Sequence, residues 1–438
     1  MTGLPELHPH VDPTDADLIT RLIADRRLIH QHPEEGWTEF ETTWRIVKGL
    51  REIGLEPQIG EAVINRDAVM GRNPDLVADA MVRAENEFVP KEFLDATKGL
   101  TGAVAVLDTG RPGPTTAFRA DIDCVLVREN QTPDHAPAAC GFASKYPGLM
   151  HACGHDAHAS LVLAAARWAV RHKDELCGKL KFIFQPAEEG VRGANAMAAA
   201  GVVDDVDILL GGHMGCQARL GELALQADGF LATTKFDVDI EGSPSHAGSD
   251  PHVGHNALMA ACAAAMMLQG IPRHGRGTTR IAVGKLNAGE GRNVVPSHAR
   301  MELEVRGSSA EVNQFMADYV EDIFAGVEKA YRVKVTITKA GESTTLLPSP
   351  KLYDLVEEVM REVPGAKVLP RITAPSGSED CAVLMRRVIE RGGEAAFVVY
   401  GTNHHGHHKG DFEIQDETSL PLAFDFMRRF ALRVNGRK

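Results

Sequence analysis

The chain lacks any C-x-x-C pair, and its seven cysteines, at 124, 140, 153, 177, 216, 262 and 381, are odd in number and widely spaced. That spacing argues against a disulfide framework and a zinc ribbon, so a reducing cytoplasm is the expected setting. Long apolar runs are missing too. The longest, Ala257 to Leu268, has 12 residues and is rich in alanine; it is too short to cross a bilayer and is expected to form a buried helix. A basic surplus is absent, with 60 acidic residues against 47 basic ones and a net charge of −13. Nucleic acid is therefore not an expected partner, because phosphate binding needs a concentrated basic surface. The first residues are acidic and Pro-rich, with no basic region leading into an apolar stretch, so no secretory leader is expected. Several catalytic signatures are also missing. There is no G-x-S-x-G elbow, which disfavours a serine nucleophile, and no H-E-x-x-H, Walker A or G-x-G-x-x-G, which removes the zincin, NTPase and Rossmann readings. The P-C-x-x-C of zinc deaminases is missing as well.

What is present is an ordinary globular composition, 44% apolar and 24% charged over 438 residues, long enough for about two to three domains. Helical spacing is expected from Asp17 through Leu18, Leu22 and Ile29, and again from near Thr38 through Phe40, Trp44 and Val47. A charged stretch over 61–100 reads as helical in parts. The texture then changes to short apolar strands, AVAVLD (103–108), TTAFRAD (115–121), KLKFIF (179–184) and DILLGG (207–212), with helical patterns at 157–172 and 190–200. Near-continuous apolar strands alternating with helices predict a mixed, partly parallel α/β sheet covered on both faces. Between about 230 and 340, KFDVDIEG, RIAVGKL, MELEVRG and KVTITK alternate as strands around helices at 254–269 and 309–330. Strand-helix-strand-strand-helix-strand is the order of a ferredoxin-like α+β domain. Helices at 351–362 and 379–391 and the strand FVVYG (397–401) complete the pattern. The expected architecture is an α/β domain in two parts, 1–228 and 342–438, around an inserted α+β domain at 229–341.

The 19 histidines are the unusual feature, and several cluster beside other ligand types. His151, Cys153, His155, Asp156 and His158 fall within eight residues just before a helix. Thiolate and imidazole both suit zinc and neighbouring transition metals, though a cysteine beside surface histidines is the plainer alternative. Glu188 and Glu189 follow the strand KLKFIF. Adjacent acids serve equally well as a solvated helix start; at the carboxyl end of a core strand they also sit where open α/β sheets place ligands. His213 follows DILLGG, and a single histidine there is more often structural. The run Asn403 to Lys409 holds four histidines after FVVYGT and, without that context, reads as a solvated patch. The four segments share one habit, a strand end followed by a ligand type, and the constellation points to a metal site.

The motifs HACGHD, QPAEEG and GGH, with a late histidine before an acidic Phe-containing stretch, resemble the metal-dependent amidohydrolases related to aminoacylases, indole-acetyl-amino-acid hydrolases and carboxypeptidase G. The resemblance spans almost the whole chain and includes FRADID (118–123), SHAG (245–248), GRNVVP (291–296), EVRG (304–307) and SGSED (376–380). LDTGRPGP, the charged segment before it, GVVDDVD and FLATTKFD are closer to the subgroup that cleaves aminobenzoyl-glutamate than to the shorter auxin-conjugate hydrolases. It implies two divalent metal ions, manganese or zinc with cobalt as a third candidate. By motif, Cys153, His155, Glu189 and His213 match metal ligands, and Glu188 the general base. Phe412 selects His408, four residues earlier, as the last ligand; Lys409-Gly410 replaces the usual residues after it, so His407 is a rival. The inserted domain is implied to mediate dimerisation and to help close the site. His246 is implied to stabilise the oxyanion, in its own protomer or in a partner's site, and Asn293 and Arg306 to lie near substrate.

The expected reaction is hydrolysis of the amide of an N-acyl or N-aroyl amino acid, with aminobenzoyl-glutamate first and indole-acetyl-aspartate, other N-acyl amino acids or a dipeptide as alternatives. Expected partners are the small-molecule substrate and a second copy of the chain, or a related polypeptide in a heteromer; no nucleic acid and no membrane are expected. A reading of another class is a non-catalytic metal-binding partner of an active enzyme. Retention of Glu188 beside a full ligand set speaks against it. His151 and His158 are expected to orient ligands, and His8, His10, His135 and His274 to lie on the surface.

Overall fold

The computed structural model describes residues 15–374 and 377–437, which leaves His8 and His10 outside the described chain. The residues divide into two compact units. One takes the chain up to Asp228, Leu347–Ala374 and everything from Cys381 on; the other takes Gly229–Leu346 and the short return before Cys381.

The larger unit begins with α1 (Ala16–His30), which buries Leu18, Leu22 and Ile29, and α2 (Phe40–Arg51). The charged stretch carries the two-residue strand β1 (Gln58–Ile59), α3 (Pro74–Glu87) and α4 (Lys91–Thr97). Asn73 starts α3 by accepting the N–H groups of Asp75 and Leu76. Next come β2 (Ala103–Asp108), β3 (Thr115–Asp121), the single turn α5 (Ala136–Ala139) and α6 (His155–Arg171). The first part ends with β4 (Lys179–Gln185), α7 (Ala194–Ala199), β5 (Ile208–Met214) and β6 (Glu222–Leu225).

In the smaller unit, β7 (Ala232–Glu241), β8 (Thr279–Ala288), β9 (His298–Gly307) and β10 (Lys334–Ser343) form an antiparallel sheet in the order β10-β7-β9-β8. Helices α8 (Ala257–Gln269) and α9 (Ala310–Tyr331) pack on each other and on this sheet. The core is built from Phe236, Val238, Ile240, Ala260, Ala264, Val320 and Phe324. Helix α8 corrects one expectation: only one face is buried, and Met266 is 76% exposed, with Met259 and Met267 also open.

The chain returns to the larger unit with α10 (Tyr353–Glu362), β11 (Lys367–Val368), α11 (Cys381–Glu390), β12 (Glu394–Tyr400) and α12 (Asp416–Asn435). Its eight-stranded sheet runs β1-β2-β4-β3-β5-β12-β6-β11. The four central strands β4, β3, β5 and β12 are parallel, and β2 and β6 pair antiparallel at their flanks. The sheet is thus α/β and mixed. Parallel strands buried on both faces explain their near-continuous apolar sequences. Helix α6 is buried from His155 to Ala169; its alanines let α1, α12 and the sheet approach closely. Phe118 stacks on Phe182, and Phe430 meets Phe118 edge-on. No described helix is long and apolar enough to cross a membrane.

The register gathers the carboxyl ends of the parallel strands at one edge. Asp121 of β3 lies opposite Gln185 of β4, and Met214 of β5 opposite Tyr400 of β12. Open α/β sheets bind ligands at such an edge.

Candidate metal centre

Each central strand delivers side chains to that edge. Asp121 ends β3, and Asp123 lies two residues on. Glu188 and Glu189 follow β4, His213 is the penultimate residue of β5, and His407 and His408 follow β12. Cys153 and His155 arrive on the turn into α6. That turn needs Gly154, whose φ is 86° and whose position would set a Cβ 3.2 Å from the Met214 side chain. The histidine loop is pinned where the His408 N–H donates to the Ala152 carbonyl at 2.8 Å.

Cys153, His155 and Glu189 place ligand atoms within 4.8 Å of one another, as do Cys153, His213 and His407. The two groups share the Cys153 sulfur. His408 reaches the same place by another contact, with Nε2 3.1 Å from Glu189 Oε1. His155 Nε2 is 3.9 Å from Glu188 Oε2. The structure therefore brings together Cys153, His155, Glu188, Glu189, His213 and His408, and His407, the rival for the last ligand, lies with them.

Hydrogen bonds set the imidazole tautomers. The Met214 carbonyl can only accept, so His213 Nδ1, at 2.8 Å, and His407 Nε2, at 3.1 Å, both donate to it. His213 Nε2 is then a lone pair facing Cys153 Sγ at 3.5 Å. A third acidic and imidazole group, Asp121 with His155 and His158, is equally compact. It is not free to ligate, because both nitrogens of His158 are already engaged: Nδ1 donates to Asp121 at 2.6 Å and Nε2 accepts the Met214 N–H at 2.8 Å.

The local field is anionic. Burial opposes charging His155, yet Asp121 and Asp123 raise its pKa to about 10. Burial, with Glu189 and Glu188, drives the Cys153 thiol well above its usual range. Burial and the neighbouring His158 and His407 push His213 down, whereas the Glu189 contact raises His408. A buried thiol beside acids needs a cation to become a thiolate. His155 Nε2 is moreover buried without a hydrogen-bond partner, as expected of a ligand atom aimed at a metal. The donor set fits two divalent ions.

Sequence reasoning passes over the acids that hold these ligands. Asp123 Oδ1 faces His155 Nδ1 at 3.2 Å and accepts the Glu188 N–H at 3.1 Å, and Oδ2 accepts the Glu189 N–H at 2.9 Å. Glu39 Oε1 accepts the Ala187 N–H at 2.7 Å. Burial, with the Asp123 charge, raises Glu39 to about 8. The alternating acids of FRADID are a usable signal, since acids two apart at a strand end share a face. Glu39, within HPEEGWTEFE, gives none.

Behind the site lies a buried charge network. Arg26 pairs with Asp156 at 2.8 Å and Asp416 at 3.3 Å; His30 bridges Asp156 and Glu129, both at 2.8 Å. His135, expected on the surface, is buried and contacts Glu129 at 3.0 Å, because that carboxylate needs donors. His151 is buried as expected of a supporting group, although neither nitrogen has a hydrogen-bond partner.

The other predicted residues belong to the smaller unit. His246 is exposed, and its Nδ1 accepts the N–H groups of Gly248 and Ser249, so Nε2 carries the proton. The Asn293 carbonyl accepts the Ala247 N–H at 3.0 Å, beside His246. Arg306 is half-buried, with Nε 2.8 Å from Glu304 Oε1 and Nη1 3.5 Å from Ser378 Oγ.

The sheet edge, the two ligand groups and the paired acids define a metal-dependent amidohydrolase. Residues 117–433 match Peptidase family M20/M25/M40, and the chain belongs to that family. It is 42% identical over 404 residues to a Haemophilus influenzae homolog of one of the subunits of p-aminobenzoyl-glutamate hydrolase, covering 92% of this chain and 95% of the relative. It is 40% identical over 419 residues to the indole-3-acetyl-aspartic acid hydrolase of Enterobacter agglomerans, covering 95% and 96%. A crystal structure of an aminobenzoyl-glutamate utilization protein from Klebsiella pneumoniae matches with a TM-score of 0.83 at 37% identity, covering 95% of this chain and 96% of that one.

Proposed function

We propose that the protein hydrolyses the amide between an aromatic acyl group and an acidic amino acid, with p-aminobenzoyl-glutamate as the first substrate and indole-3-acetyl-aspartate as the second. The reading rests on one observation: two ligand groups share Cys153, with Glu188 beside the unpartnered nitrogen of His155. The names of the two relatives share this substrate chemistry, an aromatic acyl group on a dicarboxylic amino acid. Other N-acyl amino acids and dipeptides differ in one half of it.

Cys153, His155, Glu189, His213 and His408 are the proposed ligands of two divalent ions, manganese or zinc, with cobalt a further fit. The thiolate favours zinc and the carboxylate manganese. Bound there, such ions would lower the pKa of a water and polarise the scissile carbonyl. Glu188 takes the proton of the attacking water on its carboxylate and passes it to the leaving amine nitrogen. His246, protonated at Nε2, donates to the carbonyl oxygen as negative charge develops there. Asn293 and Arg306 are proposed to hold the substrate, Arg306 by pairing with a carboxylate.

The smaller unit is proposed as a lid and as the surface of a homodimer. Met259, Met266 and Met267 open one face of α8, and β8 is an edge strand. The Haemophilus relative is named as a homolog of one subunit of a hydrolase, so a heteromer is the alternative assembly. None of the seven cysteines is in a disulfide, which suits a cytoplasmic location.

The test is a screen of the metal-reconstituted protein on aroyl and acyl conjugates of Glu, Asp, Phe and Ala. Preference for Glu or Asp conjugates is expected. Comparable rates on all four would defeat the acidic preference, and no turnover on any would favour the non-catalytic partner reading.

A further inference from the structure

Three consecutive backbone N–H groups, of Ala187, Glu188 and Glu189, are each caught by a carboxyl oxygen from elsewhere in the chain. Asp123 takes those of Glu188 and Glu189, and Glu39 takes that of Ala187 at 2.7 Å. We propose that Glu39 is a positioning residue for hydrolysis, holding the loop that presents Glu188 to the water and Glu189 to the metal. The inference rests on the roles given to those two acids above.

Four features of the larger unit carry it. Glu39 is fully buried and 148 residues from Ala187 in sequence. It occupies the position just before α2, where a short polar side chain ordinarily caps the helix. Its side chain makes no such cap and turns instead to the Ala187 loop. Its second oxygen is fixed by the Thr101 hydroxyl at 2.6 Å, so the carboxyl plane is set from both sides. Ala187 is itself buried with a φ of 53°, a left-handed conformation that a side chain disfavours. Glu39 holds the N–H of this strained residue, while its carbonyl accepts from the N–H groups of Arg192 and Gly193 further along. Without Glu39 the Ala187 N–H would be buried without an acceptor, and the turn would be free to relax. The start of the same loop is packed against Gly102, where a Cβ would lie 2.6 Å from Pro186 Cδ.

The experiment compares Glu39→Ala, Glu39→Gln and Thr101→Val with the full-length, manganese-loaded wild type. A displacement of about 1 Å in a catalytic group costs on the order of 100-fold. Glu39→Ala is therefore expected to lower kcat roughly 10- to 100-fold with KM little changed, and to weaken Mn2+ binding in a direct titration by roughly 10-fold through Glu189. Glu39→Gln keeps an oxygen for the Ala187 N–H, and its amide can face the Thr101 hydroxyl. It is expected to restore both readouts to within about fivefold of wild type. Thr101→Val keeps the shape, loses the hydroxyl and should fall between them. If Glu39→Ala does not fold, the Gln and Val variants decide: both losing as much kcat as Glu188→Ala would overturn the proposal. So would wild-type kcat and Mn2+ affinity in Glu39→Ala. Glu188→Ala is measured alongside. Full activity there defeats the general-base reading itself, whereas an inactive Glu188→Ala beside a normal Glu39→Ala defeats only the inference about Glu39.

Discussion

His158 accepts the backbone N–H of Met214 at 2.8 Å, which obliges its other nitrogen to donate to Asp121. One imidazole thereby ties the end of β3 to the end of β5, next to His213. His158→Ala should cost roughly 1–3 kcal/mol by leaving the Met214 N–H and an Asp121 oxygen unpaired. It should also weaken divalent-ion binding by about 10- to 100-fold, as loss of ligand support usually does. Denaturant unfolding and metal titration read the two effects separately; unchanged metal affinity would refute the brace.

Glu188→Ala should lower turnover by roughly 100- to 10,000-fold, the usual contribution of a general base. Metal content by elemental analysis should stay near wild type, because the ligand groups around Cys153 do not include Glu188. Full activity in the variant would sink the assignment.

Chelation should abolish activity, and manganese or zinc should restore it. It should also lower stability, by about 2.7 kcal/mol for a metal held at 100 times its Kd. In the stripped protein Cys153 should resist alkylation at about pH 8, because burial and the two acids keep its thiol protonated. Rapid alkylation of Cys153 in the stripped protein would contradict the anionic field described for the site.

Glu129 predicts the acid limb of stability. Burial opposes its ionisation, but hydrogen bonds from His135, His30 and the Ser144 N–H outweigh it and bring the pKa from 4.5 to about 2. A carboxyl whose folded pKa lies below its unfolded value stabilises above the unfolded value. That stability, roughly 3 kcal/mol for this shift, is lost as pH falls from 4.5 towards 2. Glu129→Gln should be less stable at neutral pH by up to that amount and show a flatter dependence over the same window. Unfolding free energies measured across that range with identical slopes would contradict it.

The central strands are legible in the sequence because parallel strands buried on both faces leave near-continuous apolar runs, and 115–121 and 179–184 agree with β3 and β4 to within a residue. The strands β1, β6 and β11 are not, being two to four residues long and stabilised by pairing rather than by their own pattern. Side chains with metal-ligand chemistry announce themselves at strand ends. Glu39 does not, because the loop it holds is reached through a backbone N–H distant in sequence, and no side-chain type signals a backbone donor. His135 is misplaced by its sequence for a related reason: only the fold shows that Glu129 sits beside it. The alanine-rich run of α8 reads as fully buried, since composition does not tell one face of such a helix from the other.

Strand β12 lies inside its sheet, between β5 and β6, and the chain reaches it only after passing through the whole of the smaller unit. During synthesis the nascent chain therefore carries β5 and β6 with an open gap between them until residues up to Tyr400 have emerged. A chain ending before Glu394 would lack an interior strand and the histidines after it, not a dispensable tail. Truncation from the carboxyl end should accordingly give aggregation rather than a smaller folded protein.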